Sequence, residues 1–559
     1  MPIQSLKAGG PVRGWASSPG AAFIGLLGLV LWFGRGQEVW ALDFPIDDRY
    51  FLMRSESMTL LGSHLAPIKE PLYPLFLRLA RWSTLRLRTF EAGAYAGALL
   101  ALWLQLGRLS RSTAVAWLTV LPLALFAYQH PVLNRVTYDA LQLILTPLTF
   151  AAAIHLYRRR AGPASLALNG ALVGLHGLNR PEGLLFILPP LTVLAVLLWQ
   201  EHGRGAAARA WAFVKQAALL AAIPLLLLQG LSALNARVFG FWAATSIQSP
   251  HFQACLRDLM AIQGPPCGVS RYVPVTREAL GLAYGASPAF ARAKPCFDRN
   301  LDGLGWSSAW YRERELQQGD LAGGQFQWAL LEAGASVAGE GTREQDAYFM
   351  RVAQELDAAF SSGQLTRRPV LATFLGPAYA PWRPAFLRSL VLGGKGMLGM
   401  VSTPLPETHA GAEPPQVDQD FNRLALRDAS LVPLRDGLAA PGPPPGLGAQ
   451  KLVTKLVFGA MAGFIPLALA LFLAGAMMAR GEGRAPWAGD LGMLWAVGAP
   501  ALALAAARLW LFASIDSCMY WGFEPRYMAA GAFAMWFFAA FTVALGVRRL
   551  WPQRPRGWA

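Results

Sequence analysis

Residues 456–479, LVFGAMAGFIPLALALFLAGAMMA, run from Lys455 to Arg480 without one charged side chain. A stretch that long and that apolar crosses the roughly 30 Å hydrocarbon core of a bilayer as a single helix. In lipid the backbone must satisfy its own hydrogen bonds, so such a segment has little choice but to be helical. It has companions. Charge-poor stretches recur near 20–34, 92–107, 113–134, 140–157, 163–179, 183–200, 216–234, 491–513 and 527–547, the only charge inside them being Arg508. Together they predict a polytopic α-helical membrane protein of about ten transmembrane helices. Composition agrees: of 559 residues, 54% are hydrophobic and 15% charged, a balance foreign to large soluble enzymes.

The formal charge of +16 suggests nucleic acid until its distribution is examined. Basic residues recur at alternate loops: Lys7 and Arg13, Arg108 and Arg111, Arg158 to Arg160, Arg204 and Arg209, Arg480 and Arg484, then Arg548, Arg549, Arg554 and Arg556. With ten spans, every cluster falls on the side of both termini, which the positive-inside rule makes cytoplasmic. The positive excess is therefore a topology signal, and no nucleic-acid partner is expected. The first span continues to Phe33 without a small-residue cleavage site, so it reads as a retained span rather than a signal peptide.

The chain divides into three regions. Residues 1–235 form an N-terminal transmembrane module with a long first external loop, 43–90. Residues 236–451 form an external insert, and residues 452–559 a C-terminal transmembrane module. In the first loop, Leu72, Leu75, Phe76, Leu79 and Leu85 stand against Arg78, Arg81, Arg86 and Arg88, the pattern of a helix lying in the membrane interface. A similar amphipathic stretch covers 50–65. Within the insert, 325–365 alternates apolar and polar residues at helical spacing and predicts a small helical domain. Residues 384–401 are apolar enough to lie on the membrane, and 402–450, rich in Pro and Gly, reads as loop. All four cysteines fall on the external side, where disulfides persist. A Cys255–Cys267 bridge is one of three pairings left open, beside free buried thiols.

Polar motifs gather at the external ends of the spans. Asp43, Asp47 and Asp48 come just after the first span. Lys69-Glu70-Pro71-Leu72-Tyr73 lies in the same loop. Asn179-Arg180-Pro181-Glu182-Gly183 is the sharp turn between the fifth and sixth spans, and Glu524-Pro525-Arg526-Tyr527 enters the last one. The turn bearing His130, Asn134, Arg135, Tyr138 and Asp139 adds more. The plain readings are solvated loop charges, a tight turn whose charges pair with each other at 180–182, and local capping at 524–526. No Walker loop, dinucleotide-binding glycine fingerprint or CxxC pair is present, so ATP-driven and nicotinamide chemistry have no support.

In these motifs, in their order and on one common side, the chain resembles the membrane-embedded glycosyltransferases of the GT-C superfamily. The likeness is to the group of the protein O-mannosyltransferases and the lipid A aminoarabinose transferase. The acidic pair Asp47 and Asp48, the Pro71-x-Tyr73 interface helix, the Arg180 to Gly183 turn and the late Glu524-x-Arg526-Tyr527 carry it, over roughly 20–235 and 455–548. The resemblance implies transfer of a sugar from a polyprenyl-phosphate carrier to an acceptor hydroxyl, with inversion, at the periplasmic face of a bacterial inner membrane. A first-loop carboxylate would be the base: Asp48 or Asp47, with Asp43 third. In relatives a first-loop glutamate helps hold a divalent cation such as Mg or Mn; Glu70, Glu182 and Glu524 are the candidates for that or for orienting cations. The partner histidine has no clear place here.

The chemistry is sensible apart from the family. A carrier phosphate is already a good leaving group, so the attacking hydroxyl needs a base more than the departing oxygen needs an acid. Charge gathering on the phosphate calls for preorganised cations, and guanidinium meets phosphate with paired hydrogen bonds. Arg180, Arg526 and Lys69 are the candidates, then Arg135, with Tyr73 and Tyr527 beside them. The acceptor (lipid, polysaccharide or protein) is not specified. Two competing functions remain: a transporter or flippase of a lipid-linked sugar, and a polymerase or ligase of the O-antigen type.

Overall fold

The computed structural model describes residues 18–33, 39–42, 50–52, 54–55, 67–126, 136–201, 205–264, 275–299, 323–339, 341–368, 382–397, 431–434, 448–481, 490–519 and 525–550. The chain is almost wholly helical there. The N-terminal module contains α1 (Pro19–Phe33), α2 (Leu72–Trp82), α3 (Leu87–Ser110), α4 (Thr113–Phe126), α5 (Tyr138–Arg158), α6 (Pro163–Asn179), a 3-10 turn (Pro181–Ile187) running into α7 (Leu188–Trp199), and α8 (Ala206–Phe239). The insert contains α9 (Pro250–Ala261), α10 (Arg277–Ala286), α11 (Pro288–Ala291), α12 (Lys294–Arg299), α13 (Gly323–Ala338), α14 (Thr342–Ser361) and α15 (Trp382–Met397). The C-terminal module is α16 (Gly448–Gly481), α17 (Asp490–Met519) and α18 (Pro525–Leu550).

Every stretch expected to span the membrane overlaps a helix. Among the described residues five segments are long and apolar enough to cross a bilayer: Tyr138–Arg158, Pro181–Trp199, Ala206–Phe239, Gly492–Ile515 and Met528–Arg548. The protein is thus a helical membrane protein. Prolines sit inside α4, α5, α8, α16 and α17, at Pro122, Pro147, Pro224, Pro466 and Pro500. Neighbouring helices tolerate them in a membrane bundle far better than water does in an isolated helix.

The last helix is the hub. Phe533, Trp536, Phe537 and Phe538 of α18 are fully buried. Phe126 of α4 meets Trp536 edge-on at 5.3 Å, Phe150 of α5 meets Phe537 at 4.8 Å, and Phe472 of α16 meets Phe538 at 5.7 Å. Aromatic packing of this kind, not a hydrophobic force, joins helices in lipid. The two transmembrane modules therefore share one core. In contrast α8 turns Leu225 and Leu226 outward, as a lipid-facing helix should.

The ends of the bundle differ chemically. Arg548 of α18 donates to the Ser110 carbonyl at the end of α3 (2.7 Å), and Arg158 of α5 donates to Gln105 (2.9 Å). These three helices therefore bring basic residues to one end. The opposite end of α5 and α6 carries the Tyr138-Asp139 and Arg180-Glu182 groups.

The insert has its own core, with Phe252, Cys255, Phe290, Phe297, Phe326, Phe349 and Leu356 buried. Phe252 and Phe349 meet edge-on at 4.9 Å, joining α9 to α14. Helix α8 overruns the expected boundary at residue 235 and ends at Phe239. Gly240 takes φ +86° there, the left-handed conformation that closes a helix at low cost only for glycine. One expectation is corrected. The Pro/Gly-rich 402–450 is not all loop, because Leu431–Leu434 pairs in parallel with Val39–Leu42; the apolar Leu431, Val432 and Leu434 suit a strand, and Pro433 is tolerated at an edge. Of the readings left open for the cysteines, Cys255 is a free thiol buried in the insert core, where burial pushes its ionisation up; Cys267 lies outside the described residues. Helix α15 covers most of 384–401 and packs on α17 and α18, with Phe386 edge-on to Trp510 at 4.7 Å.

Candidate functional site

The turn between α6 and α7 is the centre of a buried polar cluster. Helix α6 ends at Asn179, and Pro181 starts the 3-10 turn, so Arg180 is left in extended backbone between two helical elements. Gly183 makes the turn sterically feasible: a Cβ there would overlap the His176 carbonyl oxygen. Arg180 consequently points into the protein, with its side chain only 7% exposed.

It is not alone there. The Arg180 guanidinium is ion-paired to both Asp139 and Glu182. It also lies 4.3 Å from the centroid of the Tyr138 ring. The start of α5 supplies two of these partners, fixed by capping: the Thr137 hydroxyl accepts from the Asp139 backbone N–H and donates to its carboxylate at 3.2 Å. Asn179 ties the two helix ends together, donating to the Tyr138 carbonyl (2.9 Å) and to Gln142 (3.0 Å). The tight-turn reading of Arg180 and Glu182 is thus correct as far as it goes, but Asp139 makes the pair a buried triad.

The first loop brings a second cation. Lys69 places its ammonium 5.4 Å from the same Tyr138 ring, 5.7 Å from Phe51 and 5.1 Å from Trp328 of the insert. Its backbone is held in turn. Arg54 donates to the Lys69 carbonyl and, at 2.8 Å, to the Tyr50 hydroxyl, which accepts from the Ile68 N–H at 2.9 Å. Glu70 is buried beside them. Desolvation, with the Glu182 carboxylate nearby, raises it from 4.5 to about 7, against the opposing pull of Lys69 and Arg180. Gln248 of the insert reaches its Oε1 at 3.4 Å.

Arg508 is the third cation. It is fully buried in α17 and within electrostatic reach of Glu182, Arg180, Asp139 and Tyr138. A lone arginine inside an apolar span is costly enough to signal a role, and that signal was present in the sequence. Tyr138, Asp139, Gln248 and Trp328 had no comparable mark. Nearby, His176 is a packing and hydrogen-bonding residue: it stacks on Phe186 at 3.6 Å and meets the Thr149 hydroxyl at 2.8 Å.

The remaining expected site residues divide plainly. Tyr73 is fully buried in α2 and packs on Phe51 and Phe76, as scaffold for the Lys69 loop. Arg526 and Tyr527 lie in the first turn of α18. Asp43, Asp47, Asp48, Arg135 and Glu524 lie outside the described residues. So Lys69, Glu70, Arg180 and Glu182, distant in sequence, come together. No three of His, Cys, Asp and Glu among the described residues form a metal site. Glu524, one of the glutamates considered for a cation, lies outside the described residues.

Among the described residues the cluster brings three cations, Lys69, Arg180 and Arg508, beside two carboxylates, Asp139 and Glu182, with burial raising Glu70 towards neutrality. Most of these side chains are buried, where electrostatic interactions are stronger than in water.

No family model matches the chain, and no curated protein does. Among solved structures, that of ArnT from Cupriavidus metallidurans bound to undecaprenyl phosphate is similar over 94% of this chain and 77% of that one, at 12% identity and a TM-score of 0.31. A likeness of that size fixes neither fold nor chemistry.

Proposed function

We propose that this protein is a GT-C-type membrane glycosyltransferase that moves a sugar from a polyprenyl-phosphate carrier to an acceptor hydroxyl on the periplasmic side. The observation that carries the reading is the meeting of three cations from remote segments, Lys69, Arg180 and Arg508, around the Tyr138-Asp139 start of α5, whose other end carries Arg158. The bond between the anomeric carbon and the phosphate oxygen breaks. The acceptor oxygen bonds to that carbon from the opposite face, and its proton passes to a carboxylate. Asp48 or Asp47 is proposed as the base, with Asp43 third; Arg526, Arg135 and Tyr527 complete the phosphate side and Glu524 orients them. The departing phosphate gains charge as the bond breaks, and fixed cations stabilise that state more than the bound donor. The polyprenyl tail stays in lipid beside the bundle.

The transporter reading draws on one observation, the burial of Arg508 inside a span, since transport paths place charge there. Its reach to Glu182 and Asp139 counts against a separate path. The test is mass spectrometry of envelope glycans and lipids from a strain lacking the gene, complemented by variants. The enzyme reading expects one glycan or lipid to lose a sugar, with Asp47→Asn or Asp48→Asn failing to restore it. Full restoration by both single variants and by the double variant removes the base assignment. Accumulation of untranslocated carrier with transfer intact favours the transporter.

A further inference from the structure

We propose that Trp328, carried by the insert on α13, positions the Lys69 ammonium for the carrier phosphate, which makes the insert a built part of the donor site. The inference rests on the proposed use of a polyprenyl-phosphate donor and adds to it a residue and a role for the insert.

Lys69 stands within 5.1 to 5.7 Å of three aromatic rings. Phe51 and Tyr138 belong to the transmembrane module and are buried. Trp328 alone comes from the insert, is half-buried, and is the ring nearest the ammonium. The docking is specific around this point. The Ser246 N–H donates to the Pro67 carbonyl at 2.8 Å, Gln248 meets Glu70, and Ile68 packs against the cores of both the bundle and the insert. One four-residue stretch, 67–70, is thus held by the insert on every residue.

Lysine needs such help. Its long stem carries about 2 kcal/mol of rotamer entropy, and its point charge lacks the fork that orients a guanidinium. The face of an indole attracts a cation most strongly of the aromatic rings. With the Lys69 carbonyl held by Arg54, the three rings restrict where the ammonium can sit. A phosphate entering the cluster then meets a cation already in place, and less is lost on ordering it.

The experiment measures binding of undecaprenyl phosphate, with undecaprenol as the uncharged control, to the full-length protein in nanodiscs. Trp328→Ala is expected to weaken phosphate binding about 10-fold, with undecaprenol binding unchanged. Trp328→Phe restores most of the loss. In a Lys69→Ala background, Trp328→Ala costs nothing further, because the ring acts through the ammonium. If Trp328→Ala does not fold, Trp328→Leu, which fills the space without the ring's charge distribution, takes its place in the same cycle. Unchanged affinity, or an equal loss in the Lys69→Ala background, overturns the inference. An unaltered protein that binds no undecaprenyl phosphate overturns the donor assignment itself, a distinct result.

Discussion

Replacing Arg180 with methionine keeps the stem and removes the guanidinium that pairs with two carboxylates. Asp139, its side chain 2% exposed, keeps the Thr137 hydroxyl but loses its countercharge in the triad, and Glu182, 17% exposed, loses its ion pair with Arg180. Breaking a buried pair by removing one member costs about 3–5 kcal/mol, because a charge is left uncompensated away from water. Removing both members is far milder, so Asp139→Asn combined with Arg180→Met should recover most of that loss. Binding behaves differently. A charge-assisted hydrogen bond is worth about 1.5–3 kcal/mol, so both the single and the double variant should bind undecaprenyl phosphate roughly 10- to 100-fold more weakly. The assay pairs thermal unfolding in detergent with lipid binding in nanodiscs on the same preparations. A double variant that is stable and binds like the unaltered protein refutes the reasoning and leaves Arg180 as a structural staple.

Two more outcomes rest on the same geometry. Glu70 is held near 7 against 4.5 in the unfolded chain. Between those values the folded protein keeps a proton the unfolded chain has released, so stability falls as pH rises through that window, by about 3 kcal/mol in all, and levels off above it. Glu70→Gln should flatten the melting-temperature profile from about pH 5 to 7; a slope identical to the unaltered protein's counts against a buried Glu70. Gly183→Ala places a methyl group on the His176 carbonyl, so the turn must open and Arg180 must shift. Lipid binding should fall at least about 10-fold, comparable with Arg180→Met, and retained binding means that the backbone yields without moving Arg180.

The helices were legible because lipid simplifies the code: a charge-free run of sufficient length has one conformation available. Hence the expected span 163–179 coincides with α6, and 527–547 lies within α18. Lys69, Glu70, Arg180 and Glu182 were legible because charges at span ends are costly and conspicuous. Asp139 was visible only as one polar group in a turn, since nothing in the sequence tells that α5 begins beside Arg180. Arg508 stands out in the sequence as the one charge inside a span, but its neighbours are not legible there, because helix rotation depends on packing around α18 that periodicity does not specify. Trp328 was unreadable: an aromatic in an amphipathic insert helix looks like core, and only docking of one domain on another shows which cation it meets. The strand at 431–434 is not legible in the sequence because its partner, 39–42, lies so far away along the chain.

The central claim is that cations from remote segments meet to hold a carrier phosphate. A cryo-EM structure of the full-length protein with undecaprenyl phosphate tests it most directly. The account predicts the phosphate within hydrogen-bond distance of Arg180 and Lys69, near Arg508, with the isoprenoid tail running along the outside of the bundle. A phosphate seated elsewhere, with Arg180 still held by Asp139 and Glu182, contradicts it.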